Sequence, residues 1–525
     1  MIWRPAALRR PGFWLASVAG GLQALSIAWP GTGQAHGWLQ VLSLMLLASG
    51  LVRMAGAGTR DPSCRTLRAA VQAAVWHSAA FAVAWLAGVF WWLHVSMHQV
   101  GGLPAPLSVA AVLLLAAALG LYYVGAATSW VALVRLARWE QRPLPASVLF
   151  AALWLLAELM RGRWFTGFPW GAGGYAHVDG WLAALAPWVG VYGISAIAAF
   201  AAMRLALPGG RVRAWMVLAA LLAGAHALPD NDALTRTAGT AEVELLQANI
   251  SQTDKFEAVR GIREALAWYA ERLLASRQNL VVAPETAIPV LPRQLPAAYW
   301  QALQTHFASH QQLALVGLPW GDAVQGYSNA LLALGPRGMP EYRYDKAHLV
   351  PFGEFIPTGF GWFVRQMQIP LGDFVRGSVH QPSIEWQGQR LAPNICYEDL
   401  FGEELAARFG AGEQAPTALV NVSNIAWFGD TVAVDQHLNI SRMRAMELGR
   451  PMLRATNTGA TAIINHRGEV TGLLPRFTRG SLTGTFEGRT GLTPYAWWAA
   501  AFGLWPLWGL ALLVLAWAAW SARRR

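Results

Sequence analysis

Three residues in the second half of the chain could together form a nucleophilic site. Cys396, in the segment NICYEDL, is one of only two cysteines in 525 residues, and Glu285 and Lys346 lie upstream in the segments LVVAPE and YDKAHL. A free thiol has a pKa of about 8.5 and is mostly protonated at neutral pH, so a base or a nearby cation makes it a better nucleophile. Glutamate could take the thiol proton. Lysine and the backbone N–H of Tyr397 could stabilise the oxyanion of a tetrahedral intermediate.

Each of these residues also has an ordinary structural interpretation. Free cysteine is among the most buried residue types, so Cys396 by itself is more readily interpreted as a small core side chain. A lone glutamate or lysine is commonly a solvated loop charge. The long separations between the three residues in the sequence do not establish that they meet. Residue types and spacing alone therefore leave the choice between a packed thiol and a nucleophile open.

The surrounding sequence predicts a framework that could bring the three segments together. From about residue 240, short apolar runs alternate with segments of helical periodicity. Apolar runs that end in polar clusters are typical of buried strands whose ends carry side chains to a site. The predicted strands are EVELLQANI, NLVVAPE, QLALVGLPW, NALLALG, RLAPNICYE, TALVNVSN and PMLRATNTGATAII, and the predicted helices cover 256–277, 402–409 and 435–448. These patterns predict one α/β domain of about 260 residues, with Cys396 at a strand-to-helix turn.

The rest of the chain is typical of a membrane protein. Hydrophobic residues make up 55% of the chain and charged residues 13%, which predicts a protein that is partly embedded in a membrane and partly soluble in water. Eight apolar stretches are long enough to cross the hydrocarbon core, and we interpret them as transmembrane helices, the first a retained anchor. They cover 12–30, 37–54, 70–97, 106–134, 144–160, 180–207, 214–229 and 495–519.

The arginines predict the orientation of these spans. Most of them fall before span one or at the ends of spans two, four and six, at Arg4, Arg9, Arg10, Arg53, Arg60, Arg65, Arg68, Arg135, Arg138, Arg142, Arg204, Arg211 and Arg213. The positive-inside rule makes that side cytoplasmic. Arg161 and Arg163, after span five, are the exception. We therefore expect a seven-span bundle at 1–230, an outward-facing catalytic domain at 231–490, and a last helix with a cytoplasmic tail at 491–525, so that both termini are cytoplasmic.

Charge and cysteine content exclude other classes of protein. The net charge of +11 comes from arginines in short loops between apolar runs, which does not favour nucleic-acid binding. The two cysteines lie far apart in the chain, so a disulfide framework is not indicated.

The aromatic residues of the loop 162–180 favour a membrane interface over a lipid-headgroup site. Asp430, Asp435 and His437 could be interpreted as a metal cluster, but they fit a loop leading into a helix cap, and we expect no metal or other cofactor.

The amino-acid sequences around Glu285, Lys346 and Cys396 resemble known motifs. APETAIP, YDKAHLVPFGEF and NICYEDLFGE resemble the Glu, Lys and Cys motifs of the nitrilase superfamily, in that order along the chain. Together with TGFPW, NVSNIAWFG, MRAMELGRPMLRATNTG and GLTPY, the longer forms resemble the apolipoprotein N-acyltransferase family, the membrane branch of that superfamily. The resemblance extends from the membrane spans through the soluble domain to the last helix.

The resemblance implies a multi-pass α-helical membrane domain of about eight spans plus an α/β nitrilase-like αββα-sandwich domain. It implies an enzyme of the inner membrane whose periplasmic domain moves an acyl chain from a phospholipid to the N-terminal diacylglyceryl-cysteine amine of an apolipoprotein. We expect a monomer. By motif position, Glu285 is the general base, Lys346 the oxyanion stabiliser and Cys396 the nucleophile. The supporting positions are Glu354, Tyr397, Glu398 and Asn329.

Two positions depart from the family pattern. Phe256 stands where tryptophan is common, and Ile425 replaces a usual aspartate in the segment SNIAWFG. An aromatic contact with lipid could survive at Phe256, whereas a polar role at Ile425 could not. We expect Phe256, Trp427 and Phe428 to contact lipid or to form part of a lid over the site.

Two other functions remain open from the sequence. A membrane-anchored nitrilase-type amidase would share the catalytic residues and let water resolve the thioester, so its product would be a free fatty acid. A transporter with a periplasmic binding domain would also have many spans. The spans carry few charges and no inverted repeat, which does not favour transport.

Overall fold

The computed structural model describes residues 11–56, 66–208, 211–251, 260–357, 359, 361 and 373–524, and the chain falls into two compact units. The first unit comprises Met1–Leu93, Ala105–Pro229 and Leu504–Arg525, and the second comprises His94–Pro104 and Asp230–Gly503. Each unit has its own set of buried apolar side chains.

The first unit is built from long apolar helices. In chain order they are α1 (Pro11–Ile27), α2 (Gly37–Ala55), α3 (Leu67–Phe90), α4 (Ala105–Leu136), α5 (Pro143–Arg163), α6 (Ala186–Ala206) and α7 (Arg211–Ala227). The side chain of Thr66 accepts a hydrogen bond from the N–H of Ala69 and so caps the start of α3. Both α5 and α6 have proline in the first turn, where its missing N–H costs no helical hydrogen bond.

The connection between α5 and α6 folds into the first unit. Trp164 and Phe165 are exposed, but residues 169–178 are buried. Irregular backbone at such depth needs partners for its polar groups. Arg161 donates to the carbonyl oxygens of Phe168 and Trp170 at 2.8 and 2.7 Å, and Glu158 accepts the N–H of Gly173 at 2.9 Å. Arg161 therefore binds protein backbone, which explains why it does not follow the charge distribution of the other arginines.

The second unit contains two six-stranded sheets. The strands are β1 (Arg236–Gln247), β2 (Leu280–Val282), β3 (Leu313–Asp322), β4 (Gly326–Leu334), β5 (Arg343–Asp345), β6 (Ile384–Trp386), β7 (Gln389–Ile395), β8 (Ala418–Ser423), β9 (Met452–Thr456), β10 (Ala462–Ile464), β11 (Val470–Leu473) and β12 (Gly480–Thr490). The first sheet has the order β12-β1-β2-β3-β4-β5 and the second β11-β10-β9-β8-β7-β6. The pairs β1–β2, β2–β3, β7–β8 and β8–β9 are parallel, so long crossover connections must join them.

Helices cover the outer face of each sheet. The helices are α8 (Arg260–Ala275), α9 (Ala297–Ser309), α10 (Gly402–Ala406), α11 (Val432–Leu448) and α12 (Pro494–Phe502). Side chains of α8 and α9 pack on the first sheet, and those of α10, α11 and α12 pack on the second. Alternate residues of β3 point to opposite sides, since Leu313 and Leu315 lie between the sheets while Ala314 and Val316 face the helices. The predicted αββα sandwich is confirmed.

Shorter helical segments complete the described part of the chain. They are Leu93–Val95, Ser96–Val100, Trp164–Thr166, Gly173–His177, Trp181–Leu185, Asn231–Leu234, Pro292–Gln294, Cys396–Leu400, Ala407–Gln414 and Ala426–Phe428. The last helix, α13 (Trp505–Arg523), belongs to the first unit.

The predicted membrane spans coincide with apolar helices except at the eighth, 495–519. Its first part belongs to α12, which packs on the second sheet, and only the part from Trp505 onward lies in α13. Within the described residues, six helices are long and apolar enough to cross a membrane: Gly37–Ala55, Leu67–Phe90, Ala105–Leu136, Pro143–Thr166, Trp181–Ala206 and Trp505–Arg523. The first and seventh predicted spans correspond to α1 and α7, which are shorter, with 17 residues each. The multi-pass helical architecture is confirmed, while the count of eight spans stays a prediction.

Candidate active site

The three predicted chemical residues all follow strands of the second unit. Glu285 lies three residues after β2, Lys346 directly follows β5, and Cys396 directly follows β7, as the first residue of the short helix Cys396–Leu400. Cys396 has a φ of 53°, in the left-handed region that residues other than glycine rarely adopt. Such strain persists only where the surroundings hold it, and it is common at active sites. The backbone of Cys396 is therefore fixed in a costly conformation.

Lys346 is buried between two carboxylates. Its Nζ lies 3.3 Å from Glu285 Oε1 and 2.9 Å from Glu354 Oε1, and only 1% of the side chain is exposed. Burial lowers the pKa of Lys346, but the charges of Glu285 and Glu354 outweigh it, so that the pKa is raised above its ordinary value. Lys346 therefore provides a fixed positive charge and is not suited to be a base.

Asn329 aligns both carboxylates. From β4, its Nδ2 donates to Glu285 Oε1 at 2.7 Å and to Glu354 Oε1 at 2.8 Å. The second oxygen of Glu285 accepts the backbone N–H of Asn424 at 2.9 Å, and that of Glu354 accepts the N–H of Val350 at 2.8 Å. Each carboxylate thus has a fixed orientation before any substrate binds.

The Cys396 thiol lies within the electrostatic influence of Glu285 and Lys346. Burial raises its pKa to about 12, with a further contribution from the Glu285 carboxylate, while the Lys346 ammonium opposes the shift. The thiol is therefore protonated at neutral pH. A reaction at sulfur needs a base that takes the proton as the new bond forms, and the Glu285 carboxylate is the base the arrangement offers.

Glu398 joins the cysteine turn to the lysine segment. Its Oε2 accepts the N–H of Ile395 at 2.6 Å, and its Oε1 accepts the N–H groups of Ala347 and His348 at 2.7 and 3.1 Å. The hydroxyl of Tyr344 donates to both oxygens. One buried carboxylate therefore fixes the distance between the segments that follow β5 and β7.

The structure describes all but one of the aromatic residues predicted to support or cover the site. Tyr397 is 4% exposed and its ring packs edge-on against Phe401, with ring centroids 5.3 Å apart. Phe428 packs with Cys396 against a small apolar cluster that contains Ile425, the residue at the departing position. Trp427 is partly buried on the short helix Ala426–Phe428, and Phe256 lies outside the described residues.

A second polar cluster, which the sequence did not predict, lies behind Cys396. Asp399, Asn421, His437 and Arg454 are all fully buried, and they hydrogen bond to one another or to the Cys396 carbonyl. The sequence did contain a signal for this cluster, because Asn394, Asn421 and Arg454 each interrupt an apolar strand. In the structure the three strands are neighbours, and these residues lie side by side in register. Polar residues at matching positions of buried strands need partners.

The three residues that could be interpreted from the sequence as a metal cluster have different partners in the structure. His437 faces Asp399, whereas Asp430 and Asp435 form ion pairs with Arg476 at 3.3 and 3.2 Å. Among the described residues, no group of three or more His, Cys, Asp or Glu side chains could hold a metal ion.

Comparisons with known proteins cover both units. The Apolipoprotein N-acyltransferase N-terminal domain family matches residues 19–204, and the Carbon-nitrogen hydrolase family matches residues 243–495. A solved member of the nitrilase superfamily from Saccharomyces cerevisiae matches with a TM-score of 0.36 and 15% identity, over 48% of this chain and 92% of that chain.

Two curated relatives match nearly the whole chain. An apolipoprotein N-acyltransferase from Verminephrobacter eiseniae is 53% identical over 517 residues, covering 93% of this chain and 92% of that protein. One from Ralstonia nicotianae is 47% identical over 495 residues, covering 93% and 90%. Since both matches include the membrane helices as well as the sandwich domain, the chain belongs to the apolipoprotein N-acyltransferase family.

Proposed function

We propose that this protein is an enzyme that transfers an acyl chain from a membrane phospholipid to the N-terminal diacylglyceryl-cysteine amine of apolipoproteins. The observation that carries the proposal is a strained, protonated cysteine beside a buried Glu–Lys–Glu arrangement, in a chain that also has long apolar helices. Membrane helices suit this reaction because both substrates, a phospholipid and a lipid-modified protein, are held in the bilayer and can reach the enzyme by lateral diffusion.

In the first half of the reaction, Cys396 takes the acyl chain. Glu285 accepts the thiol proton while the sulfur attacks the ester carbonyl carbon of the phospholipid, and the carbonyl electron pair moves onto oxygen. Lys346 and the N–H of Tyr397 stabilise that oxyanion. When the carbonyl forms again, the bond to the glycerol oxygen breaks, and this oxygen takes the proton from Glu285. Lysophospholipid leaves and a thioester remains on Cys396.

In the second half, the lipoprotein amine resolves the thioester. The amine nitrogen attacks the thioester carbonyl, Glu285 accepts its proton, and the same donors hold the second oxyanion. Collapse expels the Cys396 sulfur, which recovers the proton, and an amide is released. Water must be excluded from the thioester. We expect Phe428, which packs on the same apolar cluster as Cys396, and the neighbouring Trp427 to form part of a lid, and Phe256 to contact lipid.

The proposal includes a location and an assembly state. The arginine distribution supports an inner-membrane protein whose region 231–490 is periplasmic and whose termini are cytoplasmic, with membrane regions at 1–230 and 491–525. We propose that it acts as a monomer, because the residues assigned to chemistry, Glu285, Lys346 and Cys396, lie within one unit of one chain.

Mass spectrometry of purified protein incubated with a dipalmitoyl phospholipid tests the function. We expect a palmitoyl adduct that maps to Cys396, is absent in Cys396→Ala, and disappears as N-acyl product forms when a diacylated lipopeptide is added. An adduct that persists in Cys396→Ala would show that another residue is the nucleophile. Free fatty acid as the main product, with lipopeptide present, would favour the amidase-type hydrolase instead.

A further inference from the structure

We propose that His437 is a positioning residue that, together with Asn421, holds the peptide unit between Cys396 and Tyr397 in the orientation needed to stabilise the oxyanion. The inference rests on the proposed function and adds a residue to its machinery. His437 would not touch the substrate. It would act through the Cys396 carbonyl, which lies on the side of the peptide opposite to the Tyr397 N–H.

Two side chains donate to the carbonyl oxygen of Cys396. His437, on α11, has its Nε2 2.9 Å from Asp399 Oδ1 and 3.3 Å from this oxygen, so its one Nε2 proton is shared between the two acceptors. Asn421, on β8, places its Nδ2 3.3 Å from the same oxygen. The Cys396 carbonyl is therefore held by one side chain from α11 and one from β8. Both approach it on the helix-covered face of the second sheet.

The contacts of the His437 ring fix its tautomer. Its Nδ1 lies 2.8 Å from a guanidinium nitrogen of Arg454, and a guanidinium can only donate hydrogen bonds. Nδ1 is therefore an acceptor without a proton, so the proton of the neutral ring is on Nε2, which faces Asp399 and the Cys396 carbonyl. Burial lowers the pKa of His437 and the charge of Arg454 lowers it further, which favours this neutral form.

The cluster that holds the ring is itself fully connected. Arg454 also donates to Asn421 Oδ1 at 3.2 Å and to the Ser441 hydroxyl at 2.7 Å, and Ser441 donates to Asp399 Oδ2 at 2.5 Å. These side chains are fully buried. A buried network in which each member is satisfied is rigid, so it can maintain the positive φ of Cys396.

Because the peptide bond is planar, holding the Cys396 carbonyl also orients the Tyr397 N–H on the opposite side. In a trans peptide the C=O and the following N–H point in opposite directions, so a carbonyl held from behind fixes the direction of the N–H. An oxyanion-hole donor is effective because it is oriented before the charge develops. Loss of the His437 donor should therefore weaken stabilisation of the tetrahedral intermediate without changing the thiol or the binding of lipid.

Two matched substitutions separate this role from simple packing. An asparagine amide reaches the place of Nδ1 and can still accept from Arg454, but it ends short of the Cys396 carbonyl. A glutamine amide reaches the place of Nε2 and restores a donor there. We expect kcat for lysophospholipid release to fall about tenfold in His437→Asn, less than the roughly 100-fold or greater cost of removing an oxyanion-hole donor outright, because Asn421 still holds the carbonyl. KM should be unchanged, and His437→Gln should recover much of the rate.

Alkylation of Cys396 by iodoacetamide, mapped by peptide mass spectrometry, provides the second measurement. This displacement at carbon forms no oxyanion, so its rate should be the same in the wild-type protein and in both variants. Three outcomes would overturn this inference and leave the proposed function standing. They are an acylation rate in His437→Asn equal to that of the wild-type protein, a parallel loss of acylation, alkylation and thermal stability in that variant, and a His437→Gln variant as slow as His437→Asn. A wild-type protein that releases no lysophospholipid would contradict the proposed function and this inference with it.

Discussion

At the scale of single residues, the site has two carboxylates and one ammonium next to a thiol. Glu285 and Glu354 both contact Lys346, so the negative groups outnumber the positive one where a thiolate would have to form. Burial is the main cause that raises the pKa of Cys396 to about 12, and the Glu285 carboxylate raises it further, so the nearby lysine does not bring it down. Because the thiolate is the form that reacts with electrophiles and oxidants, the resting cysteine is protected until a substrate is in place.

This charge balance predicts opposite effects of Glu285→Gln on two reactions of the same sulfur. Removal of the carboxylate charge should lower the thiol pKa, so the pH midpoint of Cys396 alkylation by iodoacetamide should move to lower pH. Acyl transfer should nevertheless fall by at least about 100-fold, within the range that general-base catalysis contributes. The measurements are lysophospholipid release and alkylation rates from about pH 8, near the ordinary thiol pKa, to about pH 12, where Cys396 itself titrates.

Glu385→Gln is the matched control, because Glu385 is an exposed glutamate on β6. It should leave both reactions as they are in the wild-type protein. An alkylation midpoint in Glu285→Gln that stays in place or moves to higher pH would show that the carboxylate does not control the thiol.

At the scale of elements, the site depends on a segment that packs beside β5. The N–H of Gly377 donates to the carbonyl of Lys346 at 2.9 Å, and the N–H of Val375 donates to the carbonyl of Tyr327 at 2.7 Å. The segment 373–377 therefore supports the backbone from which the Lys346 side chain extends. Its approach is so close that a Cβ on Gly377 would lie 2.1 Å from the carbonyl oxygen of Asp345.

Gly377→Ala should therefore displace Lys346 from its two carboxylates. The clash is with backbone, which cannot rotate away, and overpacking of this kind costs about 1 to 3 kcal/mol of stability. We expect a lower melting temperature in detergent and at least a tenfold loss of acyl transfer, since a misplaced group can cost about 100-fold. Gly410→Ala is the control, because a Cβ at Gly410 has no atom within 4 Å. Equal stability and activity of the two variants would contradict the argument.

The sequence predicted those elements whose signal is local. Buried strands such as β2 are continuous apolar runs, and β7 and β8 are largely apolar, so the ends that carry Glu285 and Cys396 could be found without a structure. The strand β12 was missed because it is glycine-rich and polar at the sheet edge, and only its register with β1 makes it a strand. The place of His437 behind Cys396 was missed for a related reason, because nothing near it in the sequence indicates that α11 packs there.

At the scale of the whole molecule, the chain combines an apolar helical unit with a unit that holds reactive side chains. Six of the described helices have the length and composition of membrane spans. A soluble nitrilase-type fold would not need them, whereas an enzyme acting on two lipid-anchored substrates would. Arg161 contradicted the predicted sidedness in the sequence, but it is buried and binds backbone carbonyls. Exposed Arg163 then remains as the exception to the predicted orientation.

The predicted orientation can be tested with two single cysteines placed on exposed positions. Both substitutions are made in a chain with Cys64→Ser and Cys396→Ser. Val324→Cys is in the turn between β3 and β4, where Val324 is 94% exposed, and Gln141→Cys is at an exposed position in the connection between α4 and α5. We expect a membrane-impermeant maleimide to label the first in intact spheroplasts, and the second only after the membrane is permeabilised, because the arginine-rich connection should be cytoplasmic. The cysteine-free chain should take no label in either condition. Labelling of the Gln141→Cys protein in intact spheroplasts, with protection of the Val324→Cys protein, would reverse the assignment and place the reactive unit on the cytoplasmic side.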